Sequence, residues 1–292
     1  MTSPRKDPPC PCAAPKEARE RLRRALAESP PRLDLAALSI AALEDPCLDE
    51  APVLAVLDAL GAKVRGLLDA APGATMSGKL GALREVMRAE DFEGERQRYF
   101  CPENSFLQRV LARKKGLPIT LGVLYVEVGR RAGLPLFGIN FPGHFLVGVT
   151  AEHPEGEELF VLDPFHGGRA LDQEAVEALL QRMAPELKMC PALLAPASVE
   201  QIVWRMLSNL RRVYLREHEV SRALGVVDLM LFLAPDHPGE LRTRASLNAQ
   251  LGAFRAALRD VNRCLELTPD APDAAGLRRA RDELTVKAAS VN

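Results

Sequence analysis

The feature that most constrains this chain is a phrase that occurs twice. FLAPDHPGE (residues 232–240) and ELTPDAPDA (residues 266–274) stand 34 residues apart. Leu233 and Leu267, Pro235 and Pro269, and Asp236 and Asp270 keep that spacing, and so do the small residues Ala223 and Ala257. A period of this length, with small residues inside each unit and proline at its end, describes helix pairs stacked on one another. Gly225 and Gly252 do not fall in register with each other. Two units are fewer than the ~3 that a free stack needs, so residues 200–287 are expected to lean on other parts of the chain.

The chain upstream changes style twice. Residues 1–15 are Pro-rich and read as a disordered tail. Residues 16–98 carry helical spacing in four stretches: Lys16–Glu28, Leu33–Leu43, Val53–Leu68 and Leu80–Met87. Pro30-Pro31, Pro46 and Pro72-Gly73 separate the first three and close the third. Residues 99–195 mix helices and strands. Ser105–Lys115 reads as a short helix ended by Gly116, and Ile119–Ala132 as a second one, opened by Pro118 and closed by Gly133. LFGINF, HFLVGVT and LFVLD read as strands, with the acidic AEHPEGEE as an exposed hairpin loop. Helices followed by an antiparallel sheet give an α+β core.

Composition narrows the function classes. The 38 Lys+Arg and 39 Asp+Glu leave a net charge of −1, without the basic surplus that broad nucleic-acid or anionic-membrane binding requires. No helix-turn-helix, zinc finger or aromatic RNA-binding string is visible. At 47% hydrophobic residues, wholesale disorder is excluded, and no stretch approaches the ~20 apolar residues of a membrane span. The N-terminus lacks an apolar signal region, and six scattered cysteines read as reduced thiols, which places the chain in the cytoplasm. Cys10-Pro-Cys12 has no second pair to complete a zinc site.

Chemistry concentrates in the middle segment. His144 opens one predicted strand after a Pro-Gly turn, and Asp163 ends the next, so antiparallel pairing can set imidazole against carboxylate. Such a pair fixes the imidazole tautomer and stabilises its charged form; a satisfied structural histidine at a turn would have the same sequence. Glu103, His144, Asp163 and His166 are of metal-ligating type, but their spacing does not demand an ion, and no metal or other cofactor is expected. His166, behind Pro164-Phe165, reads as pointing away from the cleft, and Arg113-Lys114-Lys115 as a solvated helix end.

The phrases NSFL, VLxRxxGLPITL, RAGLP, FPGHFLV and DPFxGG together resemble the SirB-type branch of the transglutaminase-like superfamily, over about Leu33 to Leu171. The 34-residue units resemble tetratricopeptide repeats, which also follow the core in that branch. The resemblance implies a papain/transglutaminase-like core in which a helix N-terminus faces a small antiparallel sheet. In active relatives a thiol at that N-terminus is activated by a His and an Asp, which map to His144 and Asp163. The thiol position falls near Gly116–Thr120, where no cysteine stands; Pro118 and Ile119 cannot attack a carbonyl, and Thr120 offers a weak hydroxyl. The resemblance implies that the branch generally lacks the thiol. Cys101, ahead of Pro102-Glu103-Asn104-Ser105, could replace it from another loop. The expected function is recognition of a protein or peptide, with a cleft around Cys101, Glu103, Asn104, Ser105, Phe141 and His166 and a second surface on the repeats. The alternative is hydrolysis of an amide or ester with His144–Asp163 as the base.

Overall fold

The structure, a computed structural model, describes residues 14–153 and 156–290; Cys10, Cys12 and nearly all of the expected tail lie outside them. Contacts divide the chain into two compact units. The larger comprises Arg21–Ala41 and Cys47–Met206. After α1 (Ala14–Ala27) its helices are α2 (Leu33–Ala41), α3 (Ala51–Asp69) and α4 (Met76–Ala89). Then follow β1 (Glu93–Gly94), α5 (Leu107–Arg113), β2 (Lys115–Gly116) and α6 (Pro118–Arg131). Strands β3 (Phe137–Ile139), β4 (Leu146–His153), β5 (Gly156–Asp163) and β6 (Arg169–Leu171) form an antiparallel sheet in that order, closed by α7 (Gln173–Met183).

Helix α6 is the spine of this unit. Every residue from Pro118 to Gly129 is buried, so the helix is apolar nearly all round, as only a helix enclosed by its neighbours can be. Its one acid there, Glu127, is neutralised by Arg130 at 2.8 Å and by Arg131. Asp34 on α2 joins the same cluster: it accepts from Arg131 at 2.7 Å and from Arg32 through two bonds at 2.9 Å. Burial pushes the Asp34 carboxyl up, but these hydrogen bonds outweigh it and lower it from 3.8 to about 2. On the sheet, Ile139, Phe141, Leu146 and Val161 pack with Val176, Leu179 and Leu180 of α7 in one apolar cluster.

Several local expectations are corrected. The acidic segment is not a long loop: β4 and β5 run through it, pairing Ala151 with Glu158 and His153 with Gly156. PENS is a 3-10 turn ahead of α5. That helix stops at Arg113 because Lys114 adopts a left-handed conformation (φ 62°); Gly116 instead pairs with Gly94 in the parallel bridge of β1 and β2. Strand β6 and helix α7 went unread in the sequence.

The second unit holds Ala42–Pro46 and residues 14–20 and 207–290. Beyond α8 (Val199–Arg216) it contains α9 (Val220–Leu233), α10 (Pro238–Gln250), α11 (Phe254–Leu267) and α12 (Ala274–Ser290). The 34-residue period reappears as hydrogen bonds. Glu219 donates to Tyr214 O at 2.9 Å as Ala253 does to Asn248 O at 2.8 Å, and Ala234 donates to Met230 O at 3.0 Å as Thr268 does to Cys264 O at 2.9 Å. Ala223 and Ala257 are both fully buried. The partner of Gly252 in this register is His218, not Gly225, and both take positive φ (75° and 57°) at the turn between helices. The turn therefore repeats in conformation where the residue type does not. Within this unit the repeats are joined by Glu44, which accepts from the Tyr214 hydroxyl at 2.8 Å. Among the described residues no helix is long and apolar enough to cross a membrane.

Candidate functional site

His144 and Asp163 are brought together by the pairing of β4 with β5. The pair Val147↔Leu162 lies just inside the strand ends, so the residue entering β4 meets the residue leaving β5. The His144 amide donates to Phe141 O at 3.1 Å and closes the Pro-Gly turn that aims the ring. His144 Nε2 lies 2.9 Å from Asp163 Oδ1. Asp163 also caps the 3-10 turn Pro164–His166, accepting from the Phe165 amide at 3.1 Å. Its second oxygen, Oδ2, lies 2.7 Å from His166 Nδ1. The sequence reads His166 both as a residue of the cleft and as one that turns away from it; the capped turn folds it back onto the same carboxylate.

Both oxygens of Asp163 are thus engaged, and its environment is nearly dry: Asp163 is 4% exposed and His144 6%, whereas the His166 side chain keeps 40%. Burial pushes the Asp163 carboxyl up, yet hydrogen bonds and charge from His144 and His166 prevail and hold it below the usual range. An ionised carboxylate only accepts, so each imidazole turns an N–H toward it. This leaves His144 with Nδ1, which makes no hydrogen bond among the described residues.

The wall beside this cluster is aromatic. Phe165 meets His144 edge to face with centroids 6.1 Å apart, and Tyr99 meets Phe165 at 6.2 Å. Gly94 makes this packing possible: a Cβ there would lie 2.5 Å from Phe165 Cδ2 and 2.6 Å from its carbonyl oxygen. Tyr125 on α6 buries a hydroxyl that has no hydrogen-bond partner, and burial, opposed by Arg84, pushes its phenol up. Sequence did not single out Tyr125, since it reads as one more apolar position of a core helix.

The remaining candidates serve the scaffold. Thr120 is fully buried, and its hydroxyl donates to Asn104 O at 2.7 Å, not to His144. Asn104, also fully buried, donates to Arg98 O at 2.6 Å and accepts from Arg113 at 3.0 Å. Arg113 further reaches Glu95 at 3.4 Å, so it is a clamp and not a solvated helix end; Lys114 likewise sits over the Phe92 ring at 4.3 Å. Ser105 is 2% exposed, with its hydroxyl unpartnered. Phe141 is wholly buried in the apolar cluster, so its ring cannot line a cleft; its polar contacts are through the backbone, the carbonyl accepting from the His144 amide and from Arg205 at 2.8 Å. Cys101 donates to Glu103 and receives Arg98 at 3.0 Å. Burial and Glu103 push the Cys101 thiol up, away from the thiolate that a nucleophile requires.

His144, Asp163 and His166 each offer a ligand-type atom, all within 4.8 Å of one another, a set whose chemistry would suit a divalent transition metal. Glu103 stands outside that set.

A helix N-terminus behind a small sheet, with an Asp-held imidazole at the strand ends, defines a class, and comparison agrees. Residues 51–208, more than half of the chain, match the family model described as the transglutaminase-like superfamily, and residues 210–282 match the tetratricopeptide repeat. The chain belongs to the transglutaminase-like superfamily. It is 40% identical over 190 residues to a UPF0162 protein of Xylella fastidiosa (strain Temecula1), covering 64% of this chain and 66% of that protein, just under two thirds of its length. To a UPF0162 protein of Pseudomonas aeruginosa it is 33% identical over 261 residues, 89% of this chain and 93% of the relative. To Protein SirB1 of Salmonella typhimurium it is 28% identical over 182 residues, 62% of this chain and 66% of that protein. These matches bear out the SirB-type resemblance carried by NSFL, GLPITL and FPGHFLV, and the α+β core followed by helical repeats.

Proposed function

We propose that the chain recognises protein or peptide segments in the cytoplasm and does not act as a transglutaminase or thiol protease. One observation carries this: among the described residues, no hydroxyl or thiol hydrogen-bonds to His144 Nδ1, the nitrogen that Asp163 leaves available. A nucleophile activated by a base sits within hydrogen-bond reach of it. Thr120 spends its hydroxyl on Asn104, and Cys101 donates its S–H to Glu103. The tetratricopeptide repeats support the same role, because stacked helix pairs offer a surface to a partner segment. The test is turnover by the full chain of glutamine peptides with a fluorescent amine, and of amide and ester substrates. The expected result is no activity that His144→Ala removes.

A second function is favoured by one specific feature. An imidazole held by a buried, ionised carboxylate and keeping a free ring nitrogen is the arrangement of a general base acting on water. Ester or amide hydrolysis abolished by both His144→Ala and Asp163→Asn, in variants that keep the native circular dichroism spectrum, would replace recognition with hydrolysis.

A further inference from the structure

The sheet has an open edge. Strand β5 pairs with β4 over Gly156–Leu162, but on its other side β6 covers only Val161–Asp163. The backbone groups of residues 157–160 that face away from β4 have no backbone partner among the described residues. A cavity of about 930 Å³ lies there. Its lining includes residues 158–162 and 170–173 in unbroken runs. Glu158, Leu159 and Phe160 of that lining belong to the stretch that β6 leaves uncovered, whereas Val161, Leu162, Ala170 and Leu171 belong to the paired stretch beside it, so the cavity reaches from the end of β6 onto the open edge. Natural edge strands are usually blocked by charged side chains, above all lysine, by proline or by a bulge. Here Leu159 is 38% exposed and Phe160 half-buried, no proline or lysine stands between 156 and 163, and the charges beside them, Glu157 and Glu158, repel an acidic strand but not a basic one.

We propose that this edge binds an extended peptide with alternating apolar and basic side chains, which adds to the sheet as a strand beside residues 157–160. The open main chain supplies the hydrogen bonds, as in strand addition generally. The lining carries three carboxylates, Glu158, Asp172 and Glu177, against one cation, Arg84. Asp172 caps α7, where it accepts from the Ala175 amide at 2.8 Å, and Glu177 accepts from Gln173 at 2.9 Å through one oxygen, which leaves Glu158 and the other oxygen of Glu177 for a basic side chain. The proposal rests on the recognition function above and names the chemistry of the segment recognised.

The test uses the full chain and a fluorescein-labelled peptide of alternating valine and lysine, followed by fluorescence anisotropy. Saturable binding is expected, and N-methylation of every second peptide amide weakens it by at least about tenfold, since each lost main-chain bond contributes ~1 kcal/mol. Glu158→Lys with Glu177→Lys, both exposed in the free protein, weakens the lysine peptide and strengthens its glutamate counterpart. Cys190, an exposed free thiol in the cavity lining, is alkylated more slowly when the peptide is bound. Absence of saturable binding, or equal binding of the N-methylated peptide, overturns the proposal. So does a dimer that Leu159→Lys converts to monomer, which would assign the edge to a second copy. Activity dependent on His144 tells against the recognition function while leaving an edge that binds the peptide in place, so the two failures are distinct.

Discussion

Asp34 and Asp163 are both buried carboxylates with more than one cationic or imidazole partner, and the difference between them separates scaffold from site. Asp34 is held by Arg32 and Arg131, guanidinium groups that stay charged under all ordinary conditions. That cluster ties α2 to α6 and has no proton to exchange. Asp163 is held by two imidazoles, the side chain best suited to gaining and losing a proton near neutrality, and one of them reaches solvent. Equal burial thus serves opposite purposes: permanent charge for assembly, exchangeable charge for chemistry or recognition.

The sharpest way to break the comparison is to neutralise each acid in turn. Asp34→Asn leaves Arg131 with Glu127 and Asp58 but weakens the buried bonds that join it and Arg32 to α2, and is expected to destabilise the chain by about 2–3 kcal/mol in urea unfolding. Acid addresses the same group without mutation. Its folded value of about 2 lies below the ~3.9 of an unfolded chain, so its stabilisation is complete above pH ~4 and is lost as pH falls toward 2, a change of about 2 kcal/mol. Asp34→Asn should remove that portion of the acid dependence. Asp163→Asn is expected to lower stability by about 1 kcal/mol, less than Asp34→Asn because an imidazole, unlike a guanidinium, need not carry a charge and an amide oxygen still accepts a hydrogen bond. A loss as large as that of Asp34→Asn would erase the distinction. His166→Ala, removing a 40% exposed partner, should change stability by less than about 1 kcal/mol in the same urea unfolding.

The same contrast explains what was legible in the sequence. Amphipathic stripes, Pro stops and the 34-residue phrase mark the helices, because a buried helix face repeats along the chain. The His144–Asp163 encounter could be read from one strand start and one strand end, because antiparallel pairing relates them by simple geometry. The direction of His166 stays open in the sequence because it depends on Asp163 capping a 3-10 turn, a local bond that no periodicity announces. Asn104, Ser105 and Phe141 look like site residues because polar and aromatic types cluster there, yet all three are buried; Asn104 is held by Thr120 of α6, and Phe141 packs on α7, more than thirty residues further on. Strand β6 has only three residues, too few to show alternation.

Gly94 carries a consequence for anyone tracing unexplained variants. Fifty residues before His144, in a two-residue strand, it is the floor on which Phe165 rests. A single methyl group there must displace the ring or the carbonyl of Phe165, and the turn that sets His166 on Asp163 moves with it. Gly94→Ala would thus act as a remote aiming error, felt at an imidazole that the altered residue never touches.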